Sequence, residues 1–180
     1  HPNLDENEYT TPPIDICYKY LRSFIKGKCD YVIIECSSQG LHQGRLDGIH
    51  FTYSIITNID QDHIDYHESL KNYIDSKLKI LNQSRTSILN FDSKNLKKID
   101  HRKYKCKDIL YISQNKIKEK KIINIPSREK LSPLKNLNSY SLLMIFAVMR
   151  LEKFKIPMIF KSIINLNSIE GRRQIFSTSE

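Results

Sequence analysis

The sequence predicts an α/β fold: a mainly parallel sheet flanked by helices. Two observations carry this. Four short apolar runs, Tyr31–Ile34, Tyr53–Ile56, Ser87–Phe91 and Ile109–Ile112, have the length and residue types of buried strands. Segments with apolar residues at helical spacing fall around and between them, giving the alternation of a parallel sheet and its crossovers.

The elements follow in order. Residues 1–9 are polar and acidic and read as extended. Thr10-Thr11-Pro12-Pro13 is stiff, and proline suits a helix start. Ile14, Cys17, Leu21, Phe24 and Ile25 share one face of a helix over 13–26, with Gly27 as its stop. Tyr31–Ile34 is apolar on both faces, as a buried parallel strand is, and leads into Glu35-Cys36-Ser37-Ser38. Gly40, Gly44 and Gly48 punctuate a loop that carries Gln43 and Arg45. The strand at Tyr53–Ile56 comes next, then a polar stretch, then a helix over 69–82. After the strands at 87–91 and 109–112, residues 114–130 are basic with short apolar bursts and read as edge strands or a surface excursion. A broad apolar helix covers 139–151, a shorter one runs from Pro157 to about residue 166, and a short strand is expected at 175–177.

The 180 residues suffice for one domain with a core, and 39% hydrophobic with 27% charged residues is ordinary for a globular chain. The net charge of +9 comes from lysines scattered over the whole length, which argues against a nucleic-acid face. Cys17, Cys29, Cys36 and Cys106 form no Cys-x-x-Cys pair, so they are expected as buried free thiols in a reducing compartment. The longest apolar run, 142–149, is far shorter than the roughly 20 residues that span a bilayer. A soluble, cytoplasmic monomer without a nucleic-acid or membrane partner is expected.

Asp60, Asp62, His63, Asp65 and His67 crowd into eight residues after the Tyr53–Ile56 strand. In open α/β sheets ligands bind beyond the carboxyl ends of strands. Carboxylates with imidazole suit a divalent cation at a phosphate-handling site. A solvated acidic loop capping the next helix is the other reading, and the two stand side by side on composition. A zinc site from His63 and His67 is a third, though no further ligand is near in sequence.

Several segments, in one order, resemble the central domain of the Mur ligases. They are Thr10-Thr11-Pro12, Glu35-Cys36-Ser37-Ser38-Gln39-Gly40-Leu41, Gln43-Gly44-Arg45, Thr57-Asn58, Asp62-His63-Ile64-Asp65-Tyr66-His67, Tyr73 through Lys77, Asn90-Phe91-Asp92 and Gly171-Arg172. The resemblance covers nearly the whole chain. The Asp-His-x-Asp-Tyr-His block followed by the lysine ten residues after His67 is specific, and the Ser-Ser loop with Gln-x-Arg points to addition of the third peptide residue.

The resemblance implies a P-loop NTPase-like α/β domain, here without its first strand and ATP loop, with a link to a carboxy-terminal domain starting near 170–180. It implies an ATP-dependent ligase of peptidoglycan synthesis that activates a carboxylate of UDP-N-acetylmuramoyl-dipeptide as an acyl phosphate. A diamino acid, diaminopimelate or lysine, then attacks. Mg²⁺ and ATP are the implied cofactor and co-substrate. Glu35 and His63 match metal ligands, and Lys77 matches a lysine that CO₂ carbamylates into a further metal-holding anion. Thr10, Thr11, Ser37, Gln43 and Arg45 match contacts to the nucleotide-sugar peptide, and Asn58 and Arg172 match residues of the ATP site. A guanidinium with short hydroxyl and amide donors suits a ligand rich in carboxylate and diphosphate.

The chain departs from the family pattern in places. No Gly-x-x-x-x-Gly-Lys-Ser/Thr occurs, Gln39 stands where His is usual, Glu68 where Gly is usual, Ser141 where Asn is expected and Gln174 where Glu is usual. These 180 residues alone are therefore expected to be inactive, either as a segment of a complete ligase or as a non-catalytic relic or nucleotide-sugar binding module of the same family. Folylpolyglutamate synthetase is a further relative, disfavoured by the Ser-Ser…Gln-x-Arg loop.

Overall fold

The computed structural model describes residues 9–60, 64–113 and 139–164. The expectations placed on 1–8, 114–130, 175–177 and the link at 170–180 lie outside these residues, as do the changes at Gln174 and the last residues of the helix read from Pro157.

Helix α1 spans Ile14–Lys26. Pro13 precedes it with an extended ψ of 155°, and its carbonyl accepts the Cys17 amide at 2.9 Å, so the proline opens the helix without losing a hydrogen bond. Asp15 in the first turn and Lys26 in the last complement the helix dipole. The end is built one residue later than the sequence implies. Gly27 keeps a φ of −75°, and Lys28 takes the left-handed position at 52°. The amides of Lys28 and Cys29 then bond back to the carbonyls of Ile25 and Phe24, both at 3.1 Å, as a Schellman turn does.

Tyr31–Ile34 corrects the expectation of a buried strand. The segment is outside the three-stranded sheet, and Tyr31, Val32 and Ile33 are exposed, Ile33 at 96%, with Ile34 half-buried. Apolar, β-branched composition favours an extended backbone, but strand status needs a hydrogen-bonded neighbour, and none of the described strands supplies one. A second correction is helix α2, Ser38–His42, within what reads as loop. Ser37 caps it by accepting the Gly40 amide at 3.0 Å.

The sheet runs in the order β1 (Phe51–Ile56), β2 (Ser84–Asn90), β3 (Asp108–Ile112). Strands β2 and β3 are parallel, with Thr86 opposite Asp108 and Asn90 opposite Ile112. Every residue of β2 from Thr86 to Asn90 is buried, as a strand with neighbours on both sides and covered faces must be. Between β1 and β2 lie the short helix α3 (Ile64–His67), helix α4 (Leu70–Leu78) and a 3₁₀ turn at Lys79–Gln83. Ser69 caps α4 by accepting the Asn72 amide at 3.1 Å. Glu68, between α3 and α4, has a φ of 63°. That conformation favours glycine, the residue expected from the family pattern there.

The described residues fall into two compact units. One lies within His1–Ser54, Asp60–Arg85 and Asp100–Lys107, the other within Ile55–Ile59, Thr86–Ile99 and Asp108–Glu180. The second has a core of Ile88 and Ile112 under Leu143, Met144 and Ala147 of helix α5 (Ser139–Leu151). Leu142 and Phe146, on another side of α5, pack with Ile159 of helix α6 (Ile156–Ile164). With both sides of α5 covered, its broad apolar composition is accounted for.

All four cysteines are free thiols. Cys17 is buried as expected, with its Sγ 3.3 Å from the Pro12 carbonyl. Cys36 and Cys106 are half-buried and Cys29 is exposed at the Schellman turn, which corrects the expectation of uniformly buried thiols. Among the described residues no helix is long and apolar enough to cross a membrane.

Candidate functional site

The first unit gathers most of the substrate-contacting candidates around Thr11. This side chain is fully buried, and its hydroxyl is used twice. It donates to the Glu35 carbonyl at 2.9 Å and accepts the Ser37 amide at 2.8 Å. Thr11 thus locks the 10–12 segment to the 35–37 segment. It frames the site, while neighbouring Thr10 is exposed. Gly40 sits against it with no room for a side chain, because a Cβ there would meet Thr11 Cβ at 2.7 Å and Ser37 Oγ at 3.0 Å.

Arg45 reaches back over this junction. Its Nη1 donates to the Thr11 carbonyl at 2.7 Å and its Nε to Gln43 Oε1 at 2.8 Å. The Tyr9 ring stacks on the guanidinium, 4.7 Å from ring centroid to Cζ. Among the described residues no carboxylate pairs with Arg45, so the half-buried guanidinium has its plane fixed and donors to spare. Gln43 Nε2 in turn donates to the Tyr66 hydroxyl at 2.9 Å.

A second set of contacts ties this loop to helices α3 and α4. Buried His67 places Nε2 3.0 Å from Ser38 Oγ, also buried. Ser and His at this distance are the parts of a nucleophile and base, but at 2% and 3% exposure neither meets a substrate, and the bond serves to anchor α2. The His67 ring is edge-on to Tyr66, Tyr73 and His42. Lys79 Nζ donates to the His42 carbonyl at 3.3 Å and Gln83 Nε2 to that of Leu46 at 2.9 Å.

Lys77 lies on α4, half-buried, with Nζ 5.1 Å from the centroid of the Tyr73 ring. The Glu35 carboxylate is on an exposed residue. Burial pushes the neighbouring Cys36 thiol up to about 11, with Cys17 and Glu35 adding to the effect. Asn58, exposed and accepting a hydrogen bond from the Thr57 hydroxyl at 3.1 Å, belongs to the second unit. His63, with Asp62, and Arg172 lie outside the described residues. Asp60 and Asp65 are exposed, and among the described residues no three His, Cys, Asp or Glu side chains gather as a metal cage. Mg²⁺ does not require such a cage: it takes one or two carboxylates with waters and substrate phosphates. An exposed Glu35 carboxylate suits that demand.

Ser38, Gly40, Tyr66 and His67 hold this arrangement together; of these the sequence marks only His67 as a candidate ligand, and the structure instead buries it against Ser38. The signals that could have found them are the Ser-x-x-Gly spacing of a helix cap at Ser37 and the tyrosines one residue before and six residues after His67.

Comparison with known proteins supplies a frame for the geometry. A family model described as the Mur ligase middle domain matches residues 3–157. The chain is 36% identical over 94 residues to the UDP-N-acetylmuramoyl-L-alanyl-D-glutamate–2,6-diaminopimelate ligase of Wolinella succinogenes, covering 52% of this chain and 22% of that protein. It is 37% identical over 95 residues to the enzyme of the same name from Helicobacter pylori, covering 48% and 21%, and 37% identical over 91 residues to that from Wigglesworthia glossinidia brevipalpis, covering 49% and 18%. The matched stretch therefore spans about a fifth of the length of these relatives.

Proposed function

The chain belongs to the Mur ligase family, as its match to the middle domain over residues 3–157 shows, and from that premise we propose that it is part of an ATP-dependent ligase that extends UDP-N-acetylmuramoyl-dipeptide by its third amino acid in peptidoglycan synthesis. The observation that carries the reading is Arg45, a guanidinium held by Thr11, Gln43 and Tyr9 and paired with no carboxylate among the described residues. A fixed guanidinium with free donors recognises a carboxylate in a defined plane. The names of the relatives support 2,6-diaminopimelate as the amino acid added. A cytoplasmic enzyme acting as a monomer fits this role.

In the proposed reaction the substrate carboxylate attacks the γ-phosphorus of ATP, the bond to ADP breaks, and an acyl phosphate forms. The amine of the incoming amino acid attacks its carbonyl carbon, and phosphate leaves from the tetrahedral intermediate as the amine gives up a proton. Arg45, together with Thr10 and Ser37, orients the nucleotide-sugar peptide so that the reacting carboxylate is presented in one geometry. Thr11 and Gln43 keep Arg45 in place. Glu35 and His63 are the proposed Mg²⁺ ligands. Lys77, after its amine takes up CO₂ and loses a proton, is a further anionic ligand. Mg²⁺, when bound, offsets the charge on phosphate and carboxylate oxygens. Asn58 and Arg172 are assigned to the ATP side.

The test is Arg45→Ala in the complete ligase. The KM for UDP-N-acetylmuramoyl-dipeptide should rise about tenfold or more, since a charged hydrogen-bonded contact is removed, while that for ATP stays within twofold. An unchanged KM for the nucleotide-sugar peptide removes Arg45 from the site.

A further inference from the structure

Tyr66 lies in helix α3, and its phenol oxygen lies 2.9 Å from Gln43 Nε2 and 3.1 Å from His42 Nδ1. The direction of each bond follows from what the groups can offer. Arginine only donates, so Arg45 Nε must give its proton to Gln43 Oε1. The Gln43 amide nitrogen then faces Tyr66, whose oxygen accepts from it. With neutral His42, the phenolic proton is left for Nδ1. Arg45 Nη1 also donates to the Thr11 carbonyl, so donation runs outward from Arg45 in two directions, through Gln43 and Tyr66 to His42 and directly to Thr11.

The Tyr66 ring is 37% exposed, and its inner side is braced by two rings. It stands edge-on to the buried His67 ring, 4.7 Å between centroids at 81°, and to His42, 5.6 Å at 87°. Gln43 and His42 are exposed, so without this anchor their side chains would sample several rotamers. A flipped Gln43 amide would present its NH₂ to Arg45 Nε, donor against donor, and release the guanidinium plane.

We propose that Tyr66 is a positioning residue of the substrate site: its phenol fixes the Gln43 amide, and through it the plane in which Arg45 meets a carboxylate of the nucleotide-sugar peptide. The inference rests on Arg45 as the substrate-binding group. It adds the residue that makes that group rigid, and it links α3, which follows directly on His63, to the substrate loop.

The decisive variant is Tyr66→Phe, which keeps the ring and its edge contacts and removes only the hydroxyl. On the full chain, proton–nitrogen NMR reads the Arg45 Nε–H and Gln43 amide signals, and calorimetry reads affinity for UDP-N-acetylmuramoyl-dipeptide. In Tyr66→Phe the Arg45 Nε–H should exchange with water several-fold faster, and affinity should fall by about three- to tenfold, the range for one lost hydrogen bond. In a Gln43→Ala background the same substitution should change affinity less than twofold, because the link it acts through is already gone. Tyr18→Phe, which removes another phenol bonded at 3.3 Å to the Asp47 carbonyl, should leave both readouts unchanged. An Arg45 Nε–H that exchanges alike in wild type and Tyr66→Phe overturns the inference whatever the affinities. So does full additivity with Gln43→Ala. A wild-type chain that binds no nucleotide-sugar dipeptide instead fails the reading of Arg45, and the inference falls with it, even where the spectra retain the chain of bonds.

Discussion

Gly40 and Thr11 meet with no space between them: a Cβ on Gly40 would stand 2.7 Å from Thr11 Cβ and 2.8 Å from its Cγ2. Neither neighbour is a flexible side-chain end that can swing away, since Thr11 is buried and its hydroxyl is committed to Glu35 and Ser37. Gly40→Ala should therefore destabilise the chain by about 1–3 kcal/mol, the usual cost of overpacking, and should weaken binding of the nucleotide-sugar dipeptide through the displaced Thr11 carbonyl that holds Arg45. Urea titration checks the first effect, and a loss below about 0.5 kcal/mol would show that the junction yields easily.

Glu68 offers a change in the opposite direction. Its φ of 63° is a conformation in which a side chain is strained by about 1 kcal/mol or more, and its carboxylate sits on an exposed residue. Glu68→Gly should stabilise the fold by a few tenths to about 1 kcal/mol, the relief of strain being partly offset by the freer unfolded chain. A lower urea midpoint in Glu68→Gly would mean that the glutamate side chain contributes something its exposure hides.

Cys36 should make stability pH-dependent in the alkaline range. Its thiol ionises near 9.0 when unperturbed and is pushed up to about 11 in the folded chain, first by burial. The folded state therefore holds this proton where the unfolded state has lost it, and stability falls as pH rises. The contribution is whole below about 9 and is lost as pH climbs through about 11. Wild type should thus lose stability relative to Cys36→Ala between those values, as measured by urea unfolding at stepped pH. Parallel curves would place the thiol in contact with water. Alkylation at pH 8 should label exposed Cys29 well before Cys36.

Lys77 stands 5.1 Å over the Tyr73 ring and makes no ion pair among the described residues. If its amine carries the carbamate, Lys77→Ala in the complete ligase should abolish activity, and added short-chain carboxylates should restore part of it. Full activity in Lys77→Ala would end that assignment. Tyr73→Leu is the companion variant: it removes the ring beneath Lys77 Nζ together with the edge contact to His67, and should lower activity without abolishing it.

Much of the scaffold was legible from spacing alone. The helix over 14–26, the strands at 51–56, 84–90 and 108–112 and the helix over 139–151 have apolar patterns that local geometry converts directly into structure. Tyr31–Ile34 was misread because apolar composition records a preference for extended backbone but not the presence of a partner strand. Helix α2 was missed because five residues give no period to detect, and only the cap at Ser37 announces it. In the site, Arg45 and Gln43 could be picked out by chemical type, whereas Tyr66 and Ser38 act through the residues they hold. Their roles depend on distances across 23 and 29 positions of sequence, which no local pattern encodes.

Each of the two compact units is assembled from three separate stretches of chain, with the backbone passing back and forth between them. Neither unit can be released by one proteolytic nick or expressed from one uninterrupted piece of coding sequence. A deletion that removes residues 86–99 takes strand-end chemistry from one unit and, in rejoining the ends, also redraws the connection within the other. The order of synthesis has a matching effect. Lys107 donates its amide to the Arg85 carbonyl at 3.1 Å, so the first unit is not closed until residue 107 has emerged, by which time much of the second unit's sheet has been made but not its α5 cover. Folding should accordingly be dominated by long-range closure and be slow for a chain of this size, with a nascent intermediate that exposes the Ile88 face until α5 arrives.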